Sequence, residues 1–168
     1  MGGAYPLRQC AVMDKEEQKH MDRVEEARRT LLALYGGSHS PLEESDPDFA
    51  AIKQRLVYGE LYAQEALDPV MRELILLAVA TTNQTMSEVK LHTCAALRSG
   101  ASPEAVKEAV YHCAPYIGLG KAEAAAAAVN EVLRTQGISL PLASQRTVSE
   151  EDRLTAGIAA QKSIFGPH

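Results

Sequence analysis

Within TTNQTMSEVKLHTCAALRSG (residues 81–100), Glu88 and His92 stand four positions apart, one turn of a helix. A carboxylate beside an imidazole in apolar surroundings is suited to acid–base catalysis, because each group shifts the proton affinity of the other. The same spacing also describes an ordinary ion pair on a solvated helix face. Advancing about 100° per residue puts Ser87, Lys90, Cys94 and Arg98 in one sector, the expected solvent side. Glu88 and His92 fall roughly opposite, flanked by Leu91 and Ala95 on one side and by Val89 and Ala96 on the other. A third candidate, Glu73, lies in RELILLAVA. It reads either as a first-turn glutamate favoured by the helix dipole and paired with Arg72, or as a functional carboxylate.

These residues need helices to position them, and helical signals dominate the chain. No segment alternates apolar and polar residues for long enough to demand a sheet, so the fold class read from the sequence is all-α. A first helix is expected over about Lys15–Leu34, stopped by Gly36-Gly37, after a loose lead over residues 1–14 in which Met13 offers an alternative start. Asp46-Pro47 and Asp68-Pro69 both read as a cap followed by proline in the first turn, and Ser102-Pro103-Glu104 repeats the pattern. Pro115 should bend or end its helix near Tyr116. The alanine-rich KAEAAAAAVNEVLRTQG favours helix and offers a face of small residues for close packing, ending at Gly137.

With 168 residues, 46% of them apolar and 23% charged, the chain suits one globular domain and a tail. A net charge of −5 with scattered basic residues argues against a nucleic-acid partner. No apolar run approaches the ~20 residues that span a bilayer, so no membrane association is expected. Arg8, Gln9 and Asp14 interrupt any signal-peptide stretch. The three cysteines, Cys10, Cys94 and Cys113, have neither disulfide-framework nor metal-ligand spacing, which suits a cytoplasmic location and predicts no metal site.

LDPVMRELILLAVATT followed by EVKLHTCAALRSGASPEAVKEAVYHCAPYIGLGKAEAA resembles the carboxymuconolactone decarboxylase family, over roughly Phe49 to Leu133. The marks are the Leu-Asp-Pro and Arg-Glu-Leu opening, the Glu-x-x-x-His turn, the Ala-Leu-x-x-Gly-Ala ending, and Tyr116 to Gly118. The resemblance implies an AhpD-like helical bundle of about six to seven helices over residues 15–137. It also implies a homo-oligomer, trimer or hexamer, with pockets near subunit contacts.

In the AhpD-like branch of that superfamily, Cys-x-x-Cys-x-x-x-His carries thiol peroxidase chemistry. With His92 at the motif histidine, the cysteine positions are Thr85 and Glu88 and the relay carboxylate is Glu73. Neither cysteine is present, so peroxidase activity is disfavoured. The decarboxylase branch has glutamate where Glu88 stands, and acts on an unsaturated lactone carboxylic acid without metal or organic cofactor. The resemblance therefore implies His92 as the group that orients substrate or delivers a proton, with Glu88 and Glu73 setting its protonation. His112 and Tyr116 either line the substrate pocket or fill a helix–helix seam. A non-catalytic oligomeric binding module is the reading from a different class.

The tail contains an echo of the start. Asp22-Arg23 and Leu34-Tyr35-Gly36 recur, with like residues, as Asp152-Arg153 and Ile164-Phe165-Gly166 at an offset of 130 residues. Residues 138–168 therefore read as a linker and a helix resembling the start of a second repeat, as in family members with two such domains in one chain. Two helices that end alike by chance remain the alternative. The helix should dock the side carrying Leu154, Ile158 and Ile164.

Overall fold

The computed structural model describes residues 8–37, 40–64 and 66–166, with side chains from residue 22 onward. Among these residues there are seven α-helices and no strand: α1 Arg8–Tyr35, α2 Pro47–Leu56, α3 Pro69–Asn83, α4 Met86–Arg98, α5 Pro103–Ile117, α6 Leu119–Thr135 and α7 Arg153–Phe165. The all-α, AhpD-like bundle expected from the sequence is the fold observed. The first helix is longer than expected, since it begins at Arg8 within the segment read as a loose lead; residues 1–7 lie outside the described residues.

Local chemistry sets most helix ends. Asp68 Oδ1 accepts hydrogen bonds from the Val70 and Met71 amides at 3.0 and 3.2 Å, and Ser102 Oγ accepts from Ala105 at 3.1 Å. Each such cap contributes about 1 kcal/mol. Asp46 departs from this pattern: it precedes α2 without a side-chain cap, and its carboxylate instead accepts from the Ser45 hydroxyl at 2.6 Å. Helix α5 ends two residues beyond Pro115, and α1 ends against Gly36 at φ 80°, a left-handed geometry that glycine adopts without strain.

The chain divides into two compact units, Met1–Ile138 and Ser139–His168. In the first, α3 packs on α4 and α5, while α6 packs on α4 and α5. Its fully buried side chains include Leu77, Val89, Val106, Val110, Val129 and Leu133. The alanine face of α6 supplies Ala122, Ala125 and Ala128 to this core, the close packing that small residues permit. Helix α1 crosses α2 and α4, burying Ala27, Leu31 and Leu34 against Tyr58, Tyr62 and Ala95.

Between α2 and α3 the chain forms a π-helical turn, Val57–Leu61, and a short 3-10 turn, Tyr62–Gln64. Gly59 lies directly against α1, where a Cβ would fall 2.1 Å from the Arg23 carbonyl oxygen. Arg23 Nη1 also grips Glu60 at 2.6 Å. The wide turn and close approach carry both Tyr58 and Tyr62 into the interior beside α3 and α4.

In the second unit, α7 buries no residue, and Leu154, Ile158 and Ile164 are exposed within that unit. Its start is held by Glu150, paired with Arg146 at 3.3 Å and Arg153 at 3.1 Å. Gly166 ends it at φ 89°, so the glycines at both ends of the sequence echo adopt left-handed geometry.

Candidate functional site

Helices α3 and α4 form an antiparallel pair joined by a tight turn at Gln84, whose φ of 59° reverses the chain. Their packing places Glu73, from the first turns of α3, against His92, in the middle of α4. His92 Nδ1 lies 2.9 Å from Glu73 Oε2. Glu73 is 0% exposed and His92 9%. A fully buried carboxylate requires partners, and Glu73 has a second one: Arg72 Nε donates to Oε1 at 3.2 Å. The pairing with Arg72 read from the sequence is therefore present, alongside the contact with His92.

An acceptor on Nδ1 fixes the imidazole tautomer, placing the Nδ1 proton toward Glu73 and leaving Nε2 as the working nitrogen. Nε2 faces Glu88, whose Oε2 lies 3.6 Å away. The other oxygen of Glu88 is 3.4 Å from Lys53 Nζ, contributed by α2. Both contacts are longer than a tight hydrogen bond, and Glu88 and Lys53 side chains are 39% and 43% exposed. The site thus grades from a dry, fixed end at Glu73 to a wet, adjustable mouth at Glu88 and Lys53. Lys53 gave no sequence signal, being one lysine on an exposed helix face and 35 residues from its partner.

A cluster of tyrosines backs the dry end. Tyr58 stands edge-on to Tyr35 and Tyr62, with ring centroids 5.8 and 5.2 Å apart. The Arg72 guanidinium lies over the Tyr62 ring at 3.8 Å. Burial, reinforced by the negative charge of Glu73, pushes the phenol pKa of Tyr62 well above its ordinary value. Burial also raises those of Tyr35 and Tyr58. Neighbouring phenols and Glu73 add to the effect at Tyr35, while at Tyr58 the hydrogen bond with Tyr35 partly offsets it and the charges of Glu88 and Glu73 add to it. All three remain neutral walls at physiological pH. The four-residue spacing of Tyr58 and Tyr62 was a signal available in the sequence.

His112 and Tyr116 sit together on the exposed face of α5, ring centroids 6.3 Å apart, with Tyr116 80% exposed. Among the described residues, no hydrogen bond or ion pair joins them to His92. Burial raises the thiol pKa of both Cys94 and Cys113, with Arg98 partly offsetting the effect at Cys94. Among the described residues, no group of three or more His, Cys, Asp or Glu side chains is placed to hold a metal ion.

The sequence profile of the carboxymuconolactone decarboxylase family matches residues 47–131, from the start of α2 into α6. The chain belongs to this family. It is also 29% identical to the 4-carboxymuconolactone decarboxylase of Acinetobacter baylyi over 98 residues, covering 58% of this chain and 73% of that protein. The matched span contains every residue of the Glu73–His92–Glu88–Lys53 array. No helix among the described residues is long and apolar enough to cross a membrane.

Proposed function

We propose that the protein is a carboxy-lyase that decarboxylates an unsaturated lactone carboxylic acid without a cofactor, with His92 as the proton-delivering group. The observation that carries this reading is the imidazole held at Nδ1 by a buried carboxylate, with Nε2 turned toward the mouth. Family membership supports the reaction class.

In the reaction, the bond between the ring carbon and the carboxylate breaks and CO₂ departs. The electron pair spreads through the unsaturated lactone to its carbonyl oxygen, giving a dienolate-like anion. A protonated His92 stabilises that charge and delivers its Nε2 proton to carbon, forming the enol-lactone. Glu73 keeps the ring oriented and balances the positive charge of the doubly protonated imidazole. Glu88 relays a proton from solvent to Nε2, consistent with its loose contact and partial exposure. Lys53, beside Glu88, supplies the cation that a substrate carboxylate needs on entry. His112 and Tyr116 are assigned no step. A trimeric or hexameric assembly, with the site near a subunit contact, completes the proposal.

A panel of unsaturated lactone acids, followed by mass spectrometry for loss of CO₂, tests it. Turnover should disappear in His92→Ala. Full turnover in that variant, or no turnover of any lactone acid by the wild type, sinks the assignment. Thiol peroxidase chemistry has no matching arrangement, since Thr85 and Glu88 stand at its cysteine positions and burial disfavours both described thiolates.

A further inference from the structure

A cavity of about 690 Å³ is lined by Arg72 but not by Glu73. It lies between the last turns of α1, the start of α3 and the end of α4, and neither His92, Glu88 nor Lys53 lines it. Its lining combines apolar residues, including Leu34, Leu67 and Pro69, with Arg29, Arg72 and Arg98. Its size is within the range of small-molecule pockets.

The three arginines differ in their commitments. Arg29 is paired with Glu26 at 2.6 Å. Arg72 uses Nε on Glu73, while its Nη1 reaches only the Tyr62 carbonyl at 3.5 Å, the limit of a hydrogen bond. Arg98 has no carboxylate partner among the described residues; its guanidinium lies beside Gly36, where an added methyl would stand 3.4 Å from Nη1. A cation in the last turn of α4 also suits the helix dipole, but that accounts for neither the cavity nor the second guanidinium in its wall. Among the described residues Asp68 is the one acid in the lining, and its Oδ1 is occupied by the α3 amides.

We propose that this cleft binds a small organic acid bearing two or more carboxylates, held between Arg72 and Arg98 with its carbon skeleton on the apolar wall. Two guanidinium forks match carboxylates in a bidentate manner. The volume leaves room for an apolar body that a bare inorganic anion lacks. Because Arg72 also holds Glu73, which holds His92, occupancy reaches the imidazole through two hydrogen bonds: an anion drawing on Arg72 weakens its grip on Glu73. The site is separate from the proposed catalytic mouth and does not depend on the decarboxylase reading.

The test uses the full-length chain with citrate as probe, inorganic phosphate as a second arm, and constant ionic strength, read by calorimetry and by nitrogen resonances of the His92 ring. Citrate should saturate a single site per chain and shift the His92 resonances. Arg98→Gln should weaken citrate binding roughly tenfold or more, leaving the melting temperature and the resonances of the free protein unchanged. Lys53→Gln should retain citrate affinity, which separates this cleft from the mouth at Lys53. Absence of saturable binding, affinity indifferent to Arg98→Gln, loss of affinity in Lys53→Gln, or phosphate binding as tightly as citrate would each overturn the proposal.

Discussion

Glu73 Oε2 and His92 Nδ1 are 2.9 Å apart although the residues are 19 positions apart in sequence and on different helices. The contact is buried, and Glu73 is also held by Arg72, which stacks on Tyr62. Glu73→Gln keeps the shape and an acceptor for Nδ1–H but removes the charge. Activity should fall by roughly 10²-fold with the fold retained. Glu73→Ala removes the buried carboxylate that Arg72 Nε and His92 Nδ1 share and should cost about 3–5 kcal/mol of stability. Thermal melts and steady-state kinetics on the two variants separate the electrostatic role from the structural one.

Glu88→Gln addresses the mouth. The side chain is partly exposed and its pairings to Lys53 and His92 are long, so stability should change by less than about 0.5 kcal/mol. Turnover should nevertheless drop sharply if Glu88 relays the proton. A variant with unaltered turnover would reduce Glu88 to a surface partner of Lys53.

Gly59→Ala tests the seam between α1 and the π-helical turn. The added methyl would meet the Arg23 carbonyl at 2.1 Å, a backbone atom with no rotamer to change. A loss of about 2–3 kcal/mol is expected, seen as a lowered melting temperature, and Tyr58 and Tyr62 should shift with the turn. A melting temperature equal to wild type would mean that α1 moves away at little cost.

The buried phenols predict alkaline behaviour. Tyr35, Tyr58 and Tyr62 have folded-state pKa values raised above the ordinary 10.0. The unfolded chain therefore releases these protons first, and stability, fully present below pH 10, should decline as pH rises beyond it. Ultraviolet difference spectra should show these three ionising only together with unfolding. Free titration of all six tyrosines in the folded protein would contradict the burial of this cluster.

Truncation after Leu142 removes α7 and the apolar side carrying Leu154, Ile158 and Ile164, all exposed within its own compact unit. An apolar side of this kind is suited to being covered by a further surface. The truncated chain should form particles of fewer chains or melt at a lower temperature. An unchanged number of chains per particle together with unchanged melting behaviour would identify the tail as dispensable.

The sequence alone determined the helices, because the signals that set them are local. Asp68 and Ser102 cap the turns they precede, Gly36 and Gly137 stop the helices they follow, and an alanine-rich run is helical wherever it lies. The same periodicity turned His92 inward, since helix phase is also a local property. Family likeness added Glu73 as a carboxylate associated with His92, but not the bond between them. Tertiary structure decided which groups meet. Lys53 comes to Glu88 from another helix, and Tyr62 reaches Arg72 only because Gly59 lets the π-helical turn press against the α1 backbone. It also divided the two members of the turn first singled out: Glu88 at the wet mouth, His92 in the dry interior. A helical wheel gives the direction of a side chain from its own axis. How deeply that side chain is buried, and against what charge, depends on where the neighbouring axes run, and that is fixed by packing between segments distant in sequence.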